Sequence, residues 1–199
     1  TPFGVIFLRI DQIMLKFYLG VESVGVYSAA AKLSEVMYFI PGLLVASLFP
    51  AIVNAKIVHD SLFEGRLKKL YSMMIIISFS ISTVVYLLSD YLVIKIFGSA
   101  YVSATAILKI YIWSLVPIFL GNVINQYLII ENFTKISLFL SVASATINVV
   151  LNLYLIPKYG MIGAAWATVL SAFSIIIFPV LFKRTRRQLF LIGQSLIFK

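Results

Sequence analysis

The sequence predicts an all-α fold, a polytopic membrane protein built as a six-helix transmembrane bundle, and three observations carry that expectation. Of its 199 residues, 62% are apolar or aromatic and 12% charged, with a mean hydropathy of +1.06. A soluble domain holds roughly 45–50% apolar and about 25% charged residues, and a small one has too much surface in water to use more apolar side chains. The soluble enzyme classes are excluded on that ground. Second, runs of the ~20 mostly apolar residues that a membrane crossing needs recur along the chain. Third, Lys and Arg collect in alternate connections between these runs, as cytoplasmic loops do. The runs are too long, and too poor in period-2 alternation, for barrel strands.

Six windows qualify as spans, at about 1–20, 23–53, 70–90, 103–130, 134–156 and 162–182. The first two read as a hairpin turning at Gly20-Val21-Glu22. The second opens on Val26-Tyr27-Ser28-Ala29-Ala30-Ala31, small residues that permit close helix packing. Pro41-Gly42 in its middle and Pro50 near its end predict a kinked helix running past the hydrocarbon edge. A loop is expected over 54–69, holding His59, Asp60 and Glu64 among lysines. Tyr91 to Ser103 reads as a short interfacial segment ending in a Gly98-Ser99-Ala100 turn. Pro157 is expected to end the fifth helix, with Gly160 permitting a tight turn. Gly163 and Ala167 then present a small-xxx-small face for close packing. The six windows make residues 1–182 one lobe. Residues 183–199 form a basic cytoplasmic segment with an apolar tail, too short to span and expected on the membrane surface. Because the chain opens on Thr1 inside apolar sequence, it reads as a fragment of a longer protein.

Charge gives the orientation. Lys56, Arg66, Lys68, Lys69, Lys135, Lys183, Arg184, Arg186 and Arg187 fall on one side of the alternating spans, and Lys95 and Lys158 on the other. The first side is therefore expected in the cytoplasm, with both ends of the chain. This accounts for the net charge of +9 as a topological signal. No nucleic-acid partner is expected, since no aromatic-basic surface motif accompanies the cations.

Charges within spans are costly and mark functional sites by default. Counted from the hairpin turn, Asp11 and Lys32 lie at equal depth, some 15 Å down at ~1.5 Å per residue, and Arg9 and Glu35 are likewise level with each other. They read either as interhelical ion pairs that lock the hairpin or as the lining of a hydrated cavity. Lys109 has no acid within reach in its own helix. It either snorkels outward past Tyr101 or stands in a lumen as a counter-charge for an anion. Asn122, Asn125 and Gln126 cluster in the fourth span, and Asn148 and Asn152 stand one turn apart in the fifth. Such amides bond across to another helix or contact a sugar or ion. Trp113, Tyr111, Tyr127 and Tyr154 read as belt residues or stacking platforms.

No catalytic constellation is present. The chain lacks a phosphate-binding glycine loop, a Gly-x-Ser-x-Gly elbow and a His-Glu-x-x-His pair. With no Cys and one His, neither a disulfide nor a thiolate or multi-histidine metal site is available. No enzyme activity, metal or cofactor is expected.

Two stretches resemble a known family. One is Arg9-Ile10-Asp11-Gln12-Ile13-Met14-Leu15 with Val24-Gly25-Val26-Tyr27-Ser28-Ala29-Ala30-Ala31-Lys32-Leu33. The other is Ile147-Asn148-Val149-Val150-Leu151-Asn152-Leu153-Tyr154-Leu155-Ile156-Pro157-Lys158-Tyr159-Gly160, running into Ile162-Gly163-Ala164-Ala165-Trp166-Ala167-Thr168. With Phe97-Gly98 before Tyr101, both are similar to the carboxy-terminal half of the polysaccharide-biosynthesis (O-antigen) flippases. Those proteins share a superfamily with MATE drug exporters and lipid II flippases. The resemblance implies one lobe of a two-lobe, MATE-like transporter whose central cavity alternates its access, with the amino-terminal lobe missing here. The implied substrate is an undecaprenyl-diphosphate-linked oligosaccharide, carried from the cytoplasmic to the outer face of the bacterial plasma (inner) membrane for O-antigen, capsule or related polysaccharide. Arg9, Lys32 and Lys109 would be the cationic lumen residues. Membrane lipids, the other lobe, polysaccharide polymerase and other assembly proteins are the implied partners. A MATE-type cation-coupled antiporter of small molecules is the alternative, with Asp11 and Glu35 as cycling acids, and a non-transporting scaffold is the third reading.

Overall fold

A computed structural model of the chain describes residues 9–183 and 185–196. Residues 1–8 of the first window, Arg184 of the basic segment and residues 197–199 of the tail lie outside them. The described residues fold into helices and contain no strand. In chain order these are α1 (Ile10–Leu19), α2 (Val21–Glu35), α3 (Phe39–Val58), α4 (Asp60–Phe97), α5 (Ala104–Tyr111), α6 (Leu115–Ile130), α7 (Thr134–Ile177) and α8 (Arg186–Leu196). Short 3-10 turns at Val36–Tyr38 and Ile112–Ser114 join α2 to α3 and α5 to α6.

Among the described residues four helical stretches are long and apolar enough to cross a membrane: Val21–Val58, Asp60–Phe97, Ala104–Ile130 and Thr134–Leu181. The sequence windows number six. The difference has two sources. Only ten residues of the first window's helix are described, and windows five and six form one helical stretch, α7, broken at Gly160. There φ is 58° and ψ −137°, a region that a side chain makes costly and glycine does not. Pro157 stands inside the helix rather than ending it. The arms on either side of Gly160 lie against each other: a Cβ on Gly163 would stand 2.2 Å from the Leu155 carbonyl oxygen.

Two expected connections are helical. Instead of a loop over 54–69, α3 runs to Val58 and α4 starts at Asp60, with only His59 extended between them (φ −167°, ψ 136°). The His59 imidazole Nδ1 accepts from the Ser61 backbone N–H at 3.4 Å, capping α4. At the far end α4 continues through the expected interfacial segment to Phe97 and stops at Gly98. A helix of 38 residues is about 57 Å long, nearly twice a ~30 Å hydrocarbon core. Its ends are polar because they project beyond the apolar layer, and a hydropathy window truncates such a helix at the layer's edge.

The expected kink at Pro41 falls one turn earlier, at Val36–Tyr38. Proline cannot donate to the carbonyl four residues back and its ring crowds that carbonyl, so the preceding turn tightens. Pro117 stands at the same offset from the 3-10 turn at Ile112–Ser114. Pro50 is carried inside α3.

The α5–α6 stretch is the centre of the bundle, with 67% of its most apolar window buried. α5 packs on α2, α4 and α7, and α6 on α3, α4 and α7, while α1 lies between α2 and α7. Ala29, Ala30 and Ala31 of α2 are buried together with Ala104, Ile107 and Leu108 of α5. Small side chains let these backbones approach, which matters where lipid offers no hydrophobic drive between helices. α8 docks on α4: Leu191 and Ile192 are buried and Ser72 Oγ donates to the Ser195 carbonyl at 3.1 Å. At the same end Arg187 pairs with Glu64 at 2.5 Å, and Lys56 of α3 pairs with Glu131 just after α6. Glu64 is thus a structural partner at a helix start and not part of a solvated loop.

Candidate functional site

Asp11 is 5% exposed and its partner is Tyr27. The Tyr27 hydroxyl donates to Asp11 Oδ2 at 2.5 Å, and the Gln12 backbone N–H donates to Oδ1 at 2.9 Å. Thr168 Oγ1, on the second arm of α7, lies 3.4 Å from the same tyrosine hydroxyl. One buried polar knot therefore joins α1, α2 and α7. The expected Asp11–Lys32 pair is not formed. The reason is helix rotation: Tyr27, Ala30, Ala31 and Ser34 form the buried face of α2, and Lys32 lies about 140° round from Tyr27 at 3.6 residues per turn.

Lys32 is exposed on the outer face of this hairpin, with Arg9 exposed, Gln12 half-buried and Glu35 half-buried beside it. Arg9 Nη1 donates to Gln12 Oε1 at 3.3 Å. Glu35 stands in the field of Arg9 and Lys32 and within reach of the Tyr111 hydroxyl. Among the described residues none of these three charges closes an ion pair within 4 Å. The hairpin thus presents a row of polar groups away from the protein core, and these are the candidate residues that the fold brings together.

Lys109 lies elsewhere. Its Nζ donates to Asp90 Oδ2 at 2.8 Å, so it is neither a snorkelling side chain nor a lone lumen cation. Its partner comes from α4, across the turn that follows Gly98. Lys109 and Asp90 are 34% and 62% exposed at the side chain, at the end of the bundle opposite the Lys56–Glu131 pair.

The amides divide into two groups. Asn152 Nδ2 donates to Asn148 Oδ1 at 3.0 Å, and Asn148 Nδ2 to Ser171 Oγ at 3.2 Å. With Ser144 Oγ donating to the Ser171 carbonyl at 2.7 Å, this group zips the two arms of α7 and is structural. Asn152 Oδ1 is left buried without a hydrogen-bond partner. In the other group, Asn122 Nδ2 donates to its own helix at Ile118, and Ser137 Oγ donates to Asn125 Oδ1. Asn122, Asn125, Ser137 and Ser141 line a cleft of about 230 Å³ between α6 and α7. Gln126 is half-buried and does not line it.

Tyr27, Tyr38, Tyr111, Ser114 and Thr168 are polar contacts that sequence reasoning did not assign. The Tyr38 and Ser114 hydroxyls meet at 2.9 Å, and the Tyr111 ring packs edge-on to Tyr27 at 5.9 Å. A usable signal existed: Tyr27 opens the buried small-residue face of α2, where an aromatic with a polar tip needs an acceptor. Tyr111 is buried, and is not a belt residue. Among the described residues no group of three or more His, Cys, Asp or Glu is placed to hold a metal ion.

No family model matches the chain, and no solved structure matches it. A probable flippase, AglR, of Haloferax volcanii is 25% identical over 170 residues, covering 81% of this chain and 35% of the relative. The chain thus spans about a third of the length of that curated relative. The long apolar helices and this likeness together describe a membrane protein similar to a probable flippase.

Proposed function

We propose that this chain is one lobe of a flippase that moves a lipid-linked oligosaccharide across its membrane. The observation that carries the reading is the row of exposed Arg9 and Lys32 with half-buried Gln12 and Glu35. Lys32 stands twelve residues past Gly20, about 18 Å at the rise of a helix, well inside a ~30 Å apolar layer. Charges at that depth are costly against lipid and belong on a water-filled path or a partner lobe. Two cations and one carboxylate leave a positive balance, suited to the diphosphate of a carrier lipid such as undecaprenyl-diphosphate. On this reading the chain crosses the membrane six times, through α1, α2–α3, α4, α5–α6 and the two arms of α7. The end bearing Lys56, Lys68, Lys69 and Lys135 faces the cytoplasm, and the exposed hairpin face meets the other lobe.

A cation-coupled antiporter of small molecules is the second reading. The buried Asp11 favours it, as a carboxylate whose partners are hydroxyl and backbone groups and not a cation. The deciding experiment places the full-length protein in a strain lacking its own oligosaccharide flippase. Restored surface glycan is the expected result. Resistance to toxic cations without restored glycan would replace the flippase with the antiporter.

A further inference from the structure

We infer that the groove between α3 and α4 is a binding site for one anionic phospholipid. The groove has a volume of about 410 Å³, with Leu48 and Ile52 of α3 facing Leu70 and Met73 of α4. Ala51, Arg66 and Lys69 complete its lining. Arg66 is held in place, since its Nη1 donates to the Ala51 carbonyl at 2.6 Å. A guanidinium has five N–H donors, so the others remain for a ligand. Lys69 is exposed. The nearby glutamates do not neutralise this pair, because Glu64 is taken by Arg187 and Glu131 by Lys56. Among the described residues neither Arg66 nor Lys69 closes an ion pair.

The position along α4 matters as much as the charge. Arg66 and Lys69 lie in the polar first turns of a helix whose apolar stretch begins at Leu70. They therefore sit where the helix enters the apolar layer, while Leu48 and Met73 lie deeper. A phosphate at Arg66 and Lys69 and an acyl chain along Leu48 and Met73 fit one phospholipid in its ordinary bilayer orientation. A basic pocket between membrane helices at this level recognises anionic headgroups, and the apolar groove adds a requirement for a chain. A soluble anion has no use for the groove, and a neutral lipid has none for the cations. The site needs only the membrane setting, not a particular transported substrate.

The test is native mass spectrometry of the full-length protein in detergent, titrated with phosphatidylglycerol or phosphatidylcholine. One phosphatidylglycerol should be retained well above phosphatidylcholine. Removing a surface cation weakens anionic-lipid binding roughly fivefold, so Arg66→Gln with Lys69→Gln should lower retention roughly 25-fold. Ala51→Phe fills the groove and keeps both charges; it should also abolish the preference. Lys135→Gln with Lys183→Gln removes two exposed cations from the same end and should change nothing. The inference is overturned if that control pair weakens binding as much as the groove pair, which would mean diffuse surface charge. Equal retention of both lipids, competition by inorganic phosphate at equal concentration, or a dimer that Ala51→Phe dissolves would each overturn it as well.

Discussion

Gly163 and Leu155 touch backbone to backbone across the α7 hairpin, with space for a hydrogen and not for a methyl group: a Cβ on Gly163 would stand 2.2 Å from the Leu155 carbonyl oxygen and 2.6 Å from its carbonyl carbon. Both atoms belong to helix backbone and cannot swing aside. Gly163→Ala is therefore expected to lower the melting temperature of the full-length protein in detergent by several degrees, the overpacking cost being at least ~1–3 kcal/mol. Gly121→Ala is the informative comparison. Its Cβ would meet the Ile175 Cγ2 methyl at 3.2 Å, a side-chain contact able to shift, so the drop should be smaller. Equal melting of wild type and Gly163→Ala would contradict the hairpin geometry.

The Tyr27–Asp11 bond predicts a mutational pattern different from an ion pair. Tyr27→Phe removes the hydroxyl and leaves a buried carboxylate short of a donor, which costs about 1.5–3 kcal/mol for a charged group. Combining it with Asp11→Asn should cost much less than the sum of the two single changes. Asp11→Asn with Lys32→Gln should instead add to within about 0.5 kcal/mol, as independent sites do. Chemical denaturation of the wild type, the three single and the two double variants gives the two coupling energies, and a large Asp11–Lys32 coupling would contradict the observed rotation of α2.

For Lys109 the expectation is a mild phenotype. Its pair with Asp90 is exposed, and exposed pairs contribute about 0–1 kcal/mol. Lys109→Gln should keep membrane abundance and most transport. The charge-swapped Asp90→Lys with Lys109→Asp should match wild type more closely than either single change. Loss of transport in Lys109→Gln at normal abundance would return this residue to the substrate path.

The long apolar helices were legible in the sequence; their ends and the rotation of each helix were less so. Gly160 marks the α7 turn, and the Val26 to Ala31 stretch packs closely as its small residues imply. Counting residues from a turn brings Lys109, six residues past Ser103, near the level of Asp90, eight before Gly98, once the search extends to the neighbouring helix. The same count misassigns Asp11, because depth is only one coordinate and the Tyr27–Ala30–Ser34 face sets the other. Hydropathy windows also end where the hydrocarbon does, so α3 and α4 read as a loop where they are helix. The Asn148–Asn152–Ser171 chain was legible as cross-helix bonding, the commoner use of amides in such helices.

Topology can be tested by cysteine labelling, since the chain carries no Cys of its own. On a cysteine-free full-length background, a membrane-impermeant thiol reagent added to intact cells should label cysteines placed at Lys95 and Lys158. It should miss those at Lys68 and Arg186 until the membrane is opened. Labelling of Lys68→Cys from outside would overturn the proposed orientation.

The charged hairpin face is the centre of the functional account, and Lys32 is the residue that tests it. The measurement is surface glycan in a flippase-deficient strain expressing the full-length protein, with membrane abundance quantified alongside. Lys32 is exposed and pairs with nothing within 4 Å among the described residues, so its removal should spare the fold. Lys32→Gln is predicted to lower glycan at least tenfold at unchanged abundance, and Lys32→Arg to retain most of it. Full restoration by Lys32→Gln, and by its combination with Arg9→Gln, would contradict a path that depends on this face.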